Sequence, residues 1–383
     1  MKSPLSIALI VSDEREVARC YESEDLSFGH APDALLSGFA LLRDCEVHII
    51  SCLQQPVRSP ERLAPNIFVH SLAVPKVGWL RTGYAGCVLA IRRKLKAIRP
   101  HIVHGQGTER YCALAAAFSG FPNVITIHGN MRTLARLDGA RPLSFLWCHA
   151  RLESLVLPRT CGVFCNSDST ERRVRPRAKR TWRVSNPLNP VYFSPQRENR
   201  SSPPLLLNIG TITPLKRQLE LLEAAERWHT AGRSFQLQFL GRVDTGTDYG
   251  WKFHERLKKP SVAGFARHIG FEPPSQLVHR LDAASALIHV SREESFGLVI
   301  AEALARNLKV FAFAAGGVGE VAAGAELAEL YAVNDWAALS TGVERWFSAG
   351  CPLPQTAADA IVKRHAPEVI ARRHVEVYRA LLA

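Results

Sequence analysis

Short runs of aliphatic and β-branched residues alternate with amphipathic segments along this chain, and the alternation breaks off once and then restarts. In the first series SIALIVS, EVHIISC, HIVHG, NVITIHG and GVFCNS read as strands, with helices such as Asp33 to Arg43 and Ala85 to Ile98 between them. Continuous apolar runs suit strands that are covered by helices on both faces, so the sheet is expected to be parallel. The break is NPLNPVYFSPQRENRSSPP, Asn186 to Pro204, whose Pro and Ser content suits a linker and hinge. After it LLLNIG, FQLQFLG, RHIGF, ALIHVS, KVFAFA and ELYAV repeat the pattern. At 383 residues the chain also exceeds one ordinary core. The expectation is an α/β protein of two Rossmann-like, doubly wound domains over 1–190 and 191–365, with a terminal helix over 366–383 open to returning to the first domain. Ligands of such sheets sit beyond the carboxyl ends of the strands, so a central cleft faced by both domains is the expected site.

Composition narrows the partners. The nine cysteines are scattered and form no C-x-x-C, so Cys161 and Cys165 are expected to be reduced core residues. His101 and His104 have no cysteine or acidic ligand set beside them, and no metal is expected. The formal net charge of +13 favours an anionic partner. Basic residues gather at Arg92, Arg93, Lys94, Lys96 and Arg99, and again from Arg172 to Arg183. Neither cluster interleaves aromatics as RNA-binding motifs do, which argues against nucleic acid. No apolar run approaches the ~20 residues that cross a bilayer, and Leu5 to Val11 reads as a first strand because acidic residues follow at once. The expected location is cytoplasmic, either free or peripheral on the inner face of a membrane. The peripheral reading rests on the basic segment Arg92 to Arg99 beside apolar Val88, Leu89, Ile91, Leu95 and Ile98.

The densest chemistry lies in HVSREESFGLVIAEALARNLKVFAFAAGGVGEV. A strand ends at Val290, a loop carries Glu293, Glu294, Ser295, Phe296 and Gly297, and a helix starts near Leu298 with Glu302 in its first turns. Free backbone N–H groups and a positive dipole end at that junction suit an anion. Gly297 lets the backbone approach a ligand, and the two carboxylates suit hydroxyl donors such as those of sugar and ribose. Upstream, LLLNIGTITPLKRQLE runs a strand into Gly210 and places Lys216 just before a helix, where its ammonium is a suitable point charge for a pyrophosphate.

The spacing E-x7-E around F-G-L resembles the donor-site motif of the family-4 retaining glycosyltransferases, which have the GT-B fold. Glu294, Phe296, Gly297, Leu298, Glu302 and Ala303 match it. The resemblance implies that Glu294 contacts the donor sugar and that Glu302 holds the nucleotide ribose. The family's Gly-Arg, spacer, Lys pattern is matched by Gly210 and Lys216, while Thr211 stands where the Arg is usual; Arg217 is a candidate substitute charge, with its side chain expected to point a different way from Lys216. Gly241 in FLGRV and Gly270 in RHIGF fall where the family lines its nucleotide pocket, and Gly316-Gly317 opens a further helix after KVFAF. His128-Gly129, after NVITI, resembles the family's active-site His-Gly, and Gly29 a reduced form of its N-terminal glycine loop. The match spans the chain and is densest from Leu205 to Glu320.

The resemblance implies transfer of a sugar from a nucleoside-diphosphate sugar to a hydroxyl of a glycan, lipid-linked sugar or small molecule, with retention and without cofactor or metal. Backbone N–H groups and Lys216 would carry the leaving-group charge. Two alternatives stay open: a sugar-nucleotide epimerase on the same fold, and a catalytically silent binding module, for which Thr211 is the argument. A nicotinamide enzyme ranks below these. Its G-x-G-x-x-A echo at Gly317, Gly319 and Ala322 sits on a late strand, and no such loop follows SIALIVS.

Overall fold

Apolar β-branched runs become strands here because each has a helix to cover it. The computed structural model describes residues 4–75, 77, 79–194, 201–352 and 358–383. Contacts divide the chain into two compact units, Met1–Asn189 with His365–Ala383, and Pro190–Arg364. Of the expected linker Asn186 to Pro204, residues 195–200 lie outside the described residues.

In the first unit the strands are β1 (Leu5–Ile10), β2 (Cys45–Leu53), β3 (Arg62–Ala64), β4 (Ile67–Ala73), β5 (Ile102–Gln106), β6 (Asn123–Ile127), β7 (Gly162–Cys165) and β8 (Thr181–Arg183). They form one sheet in the order β3-β4-β2-β1-β5-β6-β7-β8. Every pairing is parallel except β3 with β4. The central strands are almost wholly buried between two apolar layers. Helix Ala85–Ile98 contributes Cys87, Ile91 and Leu95 to one layer. Helix Pro367–Leu382 contributes Ile370, Ala371, Val375 and Tyr378 to the other, against helix His30–Ala40.

The second unit holds β9 (Leu205–Ile209), β10 (Gln236–Leu240), β11 (Ala266–Gly270), β12 (Ala286–His289), β13 (Lys309–Phe313) and β14 (Ala328–Tyr331). All pairings are parallel, in the order β11-β10-β9-β12-β13-β14. The order reverses between β9 and β12, as it does between β1 and β5 in the first unit. Connections leaving such neighbours run to opposite sides of the sheet, which opens a crevice at their carboxyl ends. The loops after β9 and β12 carry the two motifs singled out in the sequence.

Three strands escaped the sequence reading. β3 and β8 have three residues each and lie at the sheet edges. β4 lies next to the edge, and its outer residues, His70 to Ala73, are half-buried or exposed, so its sequence lacks the unbroken apolar run of a central strand.

Candidate active site at the carboxyl edge of the second sheet

Strand β9 ends at Ile209, β10 at Leu240 and β11 at Gly270, so Gly210 and Gly241 are the first residues past their strands. The backbone N–H of Gly210 donates to Leu240 O at 2.8 Å, and that of Gly241 to Gly270 O at 2.8 Å. Gly210, Gly241 and Gly270 therefore form a row along the carboxyl edge. A Cβ at Gly241 would lie 2.2 Å from Gly210 O, so the row exists only with bare backbone there.

The loop after β9 is fastened from two sides. Buried Gln218 accepts from Thr213 N at 3.2 Å and donates to Thr211 O at 3.2 Å. Arg292 N donates to Leu215 O at 2.9 Å and Ser291 Oγ to the same oxygen at 3.3 Å, which stitches this loop to the one after β12. The result brings Lys216 Nζ to 2.5 Å from Glu294 Oε2, across 78 positions of sequence. His289, fully buried at the end of β12, stands 3.1 Å from the same oxygen. A carboxylate only accepts, so Nε2 of His289 carries the proton of that bond. Burial lowers His289 below the ordinary imidazole value, which keeps it a neutral donor. Burial by itself would raise the Glu294 carboxyl. The Lys216 ammonium and the His289 bond outweigh it and hold the group well below the usual carboxylate range.

Helix Leu298–Ala305 starts at Gly297, whose φ of 99° is left-handed and disfavours any side chain. Phe296 is buried beneath the turn, and Leu298 is half-buried on the first turn. Glu302 lies one turn into the helix at 2% exposure, and burial pushes its carboxyl up to about 8. The two motif glutamates thus differ in charge state at neutral pH: Glu294 is ionised beside a cation, and Glu302 is largely protonated. Gly316 and Gly317 bear on the same loop. The N–H of Gly317 donates to Glu294 O at 2.9 Å. A Cβ at Gly316, where φ is 56°, would lie 1.8 Å from that carbonyl. The structure presses this pair against the Glu294 backbone.

Arg217 is not brought to Lys216. Its φ of 61° turns it the other way, where Asn334 and Glu220 bind the guanidinium and the rings of Trp336 and Phe313 flank it at 5.0 and 5.9 Å. Buried at 7% exposure, it is a clamp between the start of helix Gln218–Thr230 and the segment after β14. Thr211 is exposed on the loop, so Lys216 is the basic side chain that the β9 loop offers beside Glu294. His289 was missed because a lone histidine inside an apolar strand run reads as core.

In the first unit, His128 follows β6 and is half-buried, with Nε2 2.8 Å from Gln106 Oε1. Burial lowers its imidazole to about 4. The N–H of Gly129 donates to Glu109 Oε1 at 3.1 Å. Gly29 caps helix His30–Ala40 with a φ of 95°.

Among the described residues no group of three or more His, Cys, Asp or Glu side chains is arranged to hold a metal ion. All nine cysteines are free, with Cys165 buried and Cys161 half-buried. No described helix is long and apolar enough to cross a membrane. Helix Ala85–Ile98 spends Ile91 and Leu95 on the core, with Val88 and Ile98 packed beside them, and leaves Leu89 exposed among its basic residues. In the second basic cluster Arg175, Arg177 and Arg183 pair with Glu171, Glu153 and Asp168.

Comparison with known families follows this division of the chain. Residues 193–363 match the family described as Glycosyl transferases group 1, and residues 35–190 match Glycosyltransferase Family 4. The chain joins the two halves of a GT-B-type glycosyltransferase. Comparison with curated proteins gives no match. Solved structures agree in fold. A sucrose-phosphate synthase from Thermosynechococcus elongatus is 19% identical, with 98% of this chain and 99% of that one covered and a TM-score of 0.79. A glycosyltransferase from Rickettsia africae is 16% identical over 99% of both chains, with a TM-score of 0.71. Anabaena HepE, solved in complex with UDP-glucose, is 16% identical over 98% of this chain and 100% of that one, with a TM-score of 0.70. This glycosyltransferase shares with them a two-domain α/β architecture built on parallel sheets.

Proposed function

We propose that the protein transfers a hexosyl group from a nucleoside-diphosphate sugar to an acceptor hydroxyl, with retention at the anomeric carbon and without a metal ion. The observation that carries this is the Lys216–Glu294–His289 cluster at the carboxyl edge of β9 and β12, one loop away from the start of the helix that buries Glu302. The UDP-glucose in the HepE complex supports a nucleotide-sugar donor of that class.

In this reading Glu294 orients the donor sugar and Glu302 binds the ribose. Lys216 leaves its ion pair with Glu294 for the diphosphate as leaving-group charge grows. Phe296, Gly297 and Leu298 supply backbone at the anion, and Gly210, Thr211, Gly241, Gly270, Gly316 and Gly317 shape the surrounding edge. His128 contacts the sugar from the first unit. The acceptor hydroxyl attacks the anomeric carbon on the face that the diphosphate leaves, the C1–O bond breaks toward phosphate, and the leaving phosphate takes the acceptor's proton.

A thermal-shift screen of UDP, GDP, ADP and their common sugars identifies the donor, and product analysis of its hydrolysis tests the chemistry. A nucleotide that binds while no sugar is released, with or without acceptor, would leave a binding module. The charge of +13 directs the acceptor search to anionic carriers such as lipid-linked sugars. Co-sedimentation with anionic but not neutral vesicles, lost at high salt, supports a membrane-borne acceptor. Absence of binding at low salt favours a soluble one.

A further inference from the structure

We propose that Gln106 sets the tautomer of His128, so that this histidine accepts a hydrogen bond from a substrate hydroxyl and has none to give to a phosphate. The inference rests on the reading of His128 as a sugar contact and adds what kind of contact it is.

Gln106 is the last residue of β5, and His128 is the first residue past the neighbouring strand β6. Strands β5 and β6 run parallel, so the two side chains emerge together at their carboxyl ends. Gln106 is buried, with its amide nitrogen 3.3 Å from His104 Nε2 and its carbonyl oxygen 2.8 Å from His128 Nε2. The amide nitrogen is also 3.5 Å from His104 Nδ1, so it rests on the face of that ring, and the ring is itself held at both nitrogens. Nδ1 of His104 lies 2.5 Å from the Tyr378 hydroxyl and Nε2 lies 2.7 Å from Thr126 Oγ1. Tyr378 comes from the C-terminal helix Pro367–Leu382, so the ring beneath Gln106 is positioned from a distant part of the sequence.

A carbonyl oxygen only accepts, so the proton of the 2.8 Å bond belongs to Nε2 of His128. A neutral imidazole carries one N–H. Nδ1 is then left with its lone pair and is able only to accept. Gln106, His128 and His374 line one small pocket with Thr126, Ser185 and Asn186. The titratable groups around His128 are His104 from β5, His374 from the C-terminal helix, and Glu109, which folds over Gly107. A hydroxyl brought to Nδ1 finds an acceptor, while a phosphate or carboxylate oxygen finds lone pair against lone pair. The resulting division of labour gives the diphosphate to Lys216 and a sugar hydroxyl to His128.

The test is long-range 1H–15N spectroscopy of 15N-histidine-labelled full-length protein at neutral pH, with the His128 signal assigned from His128→Asn. The expected spectrum shows the Nε2–H form alone. In Gln106→Leu the single form gives way to a mixture. In Gln106→Glu the Nε2–H form persists, because a carboxylate also only accepts, and the imidazole titrates at higher pH. For whichever nucleotide sugar is turned over, kcat falls roughly tenfold in Gln106→Leu and recovers in Gln106→Glu. An Nδ1–H form in the unaltered protein, or an unchanged spectrum in Gln106→Leu, overturns the inference. A tautomer set as expected together with an unchanged kcat in Gln106→Leu overturns instead the placing of His128 on the sugar.

Discussion

Replacing Glu302 by Gln should stabilise the ligand-free protein, and by more as the pH rises. In the folded chain, burial holds the Glu302 carboxyl at about 8, against 4.5 for an ordinary glutamate. The folded state therefore keeps a proton that the unfolded chain gives up above 4.5. Wherever the folded state binds more protons, stability falls with rising pH, so the loss starts near 4.5 and levels off above 8. At about 1.4 kcal/mol for each pH unit the penalty tends to a ceiling of about 5 kcal/mol. It comes to about 1 kcal/mol at pH 5, about 3 at pH 7 and about 5 at pH 9. Gln fills the same space without titrating, so a difference between variant and parent cancels every other group. A change of about 4 kcal/mol between pH 5 and pH 9 in a unit of this size corresponds to roughly 10 °C in the gap between the two melting temperatures. Thermal melts followed by circular dichroism at those pH values measure it. A gap that stays constant from pH 5 to pH 9 would refute the reasoning, because it would mean that the buried carboxyl titrates as an exposed one does.

Other expectations follow from the same geometry. If Glu302 holds ribose hydroxyls as a carboxylate, affinity for the donor should climb about tenfold per pH unit from pH 6 toward 8 and then flatten. At pH 9, Glu302→Gln should then weaken nucleoside diphosphate binding by roughly 1.5–3 kcal/mol while Glu294→Gln leaves it nearly intact; calorimetry showing equal losses in both would contradict the separate roles. Lys216→Ala should lower kcat by about 10²–10³ and donor affinity far less, because leaving-group charge peaks in the transition state; an unchanged kcat means the diphosphate is held elsewhere. Turnover should survive excess EDTA, and clear inhibition that added metal reverses would sink the metal-free mechanism. Gly316→Ala should cost on the order of 3 kcal/mol or more, seen as a lower melting temperature, since its Cβ would meet the Glu294 carbonyl at 1.8 Å in a left-handed backbone.

Local pattern by itself determined the strands that are buried on both faces and the junctions between strand and helix. β9, β10, β12 and β13 were legible because a parallel strand between two helical layers is nearly apolar throughout, and the edge strands β11 and β14 were read from their place in the alternation. The start of helix Leu298–Ala305 was legible from Gly297, whose backbone angle is a local demand. Edge strands β3 and β8 were not, since three residues with one covered side leave little pattern. Tertiary structure alone decided which charges meet. Lys216 and Glu294 are 78 positions apart and pair because two loops leave adjacent strands at the point where the sheet order reverses. Arg217, one residue further on, was expected to point away from Lys216, but its partners Asn334 and Trp336 were supplied by tertiary structure alone. The charge states of Glu294 and Glu302 were out of reach for the same reason. Both are glutamates of one motif, and only the three-dimensional surroundings, a cation and an imidazole for one and burial for the other, drive their protons in opposite directions.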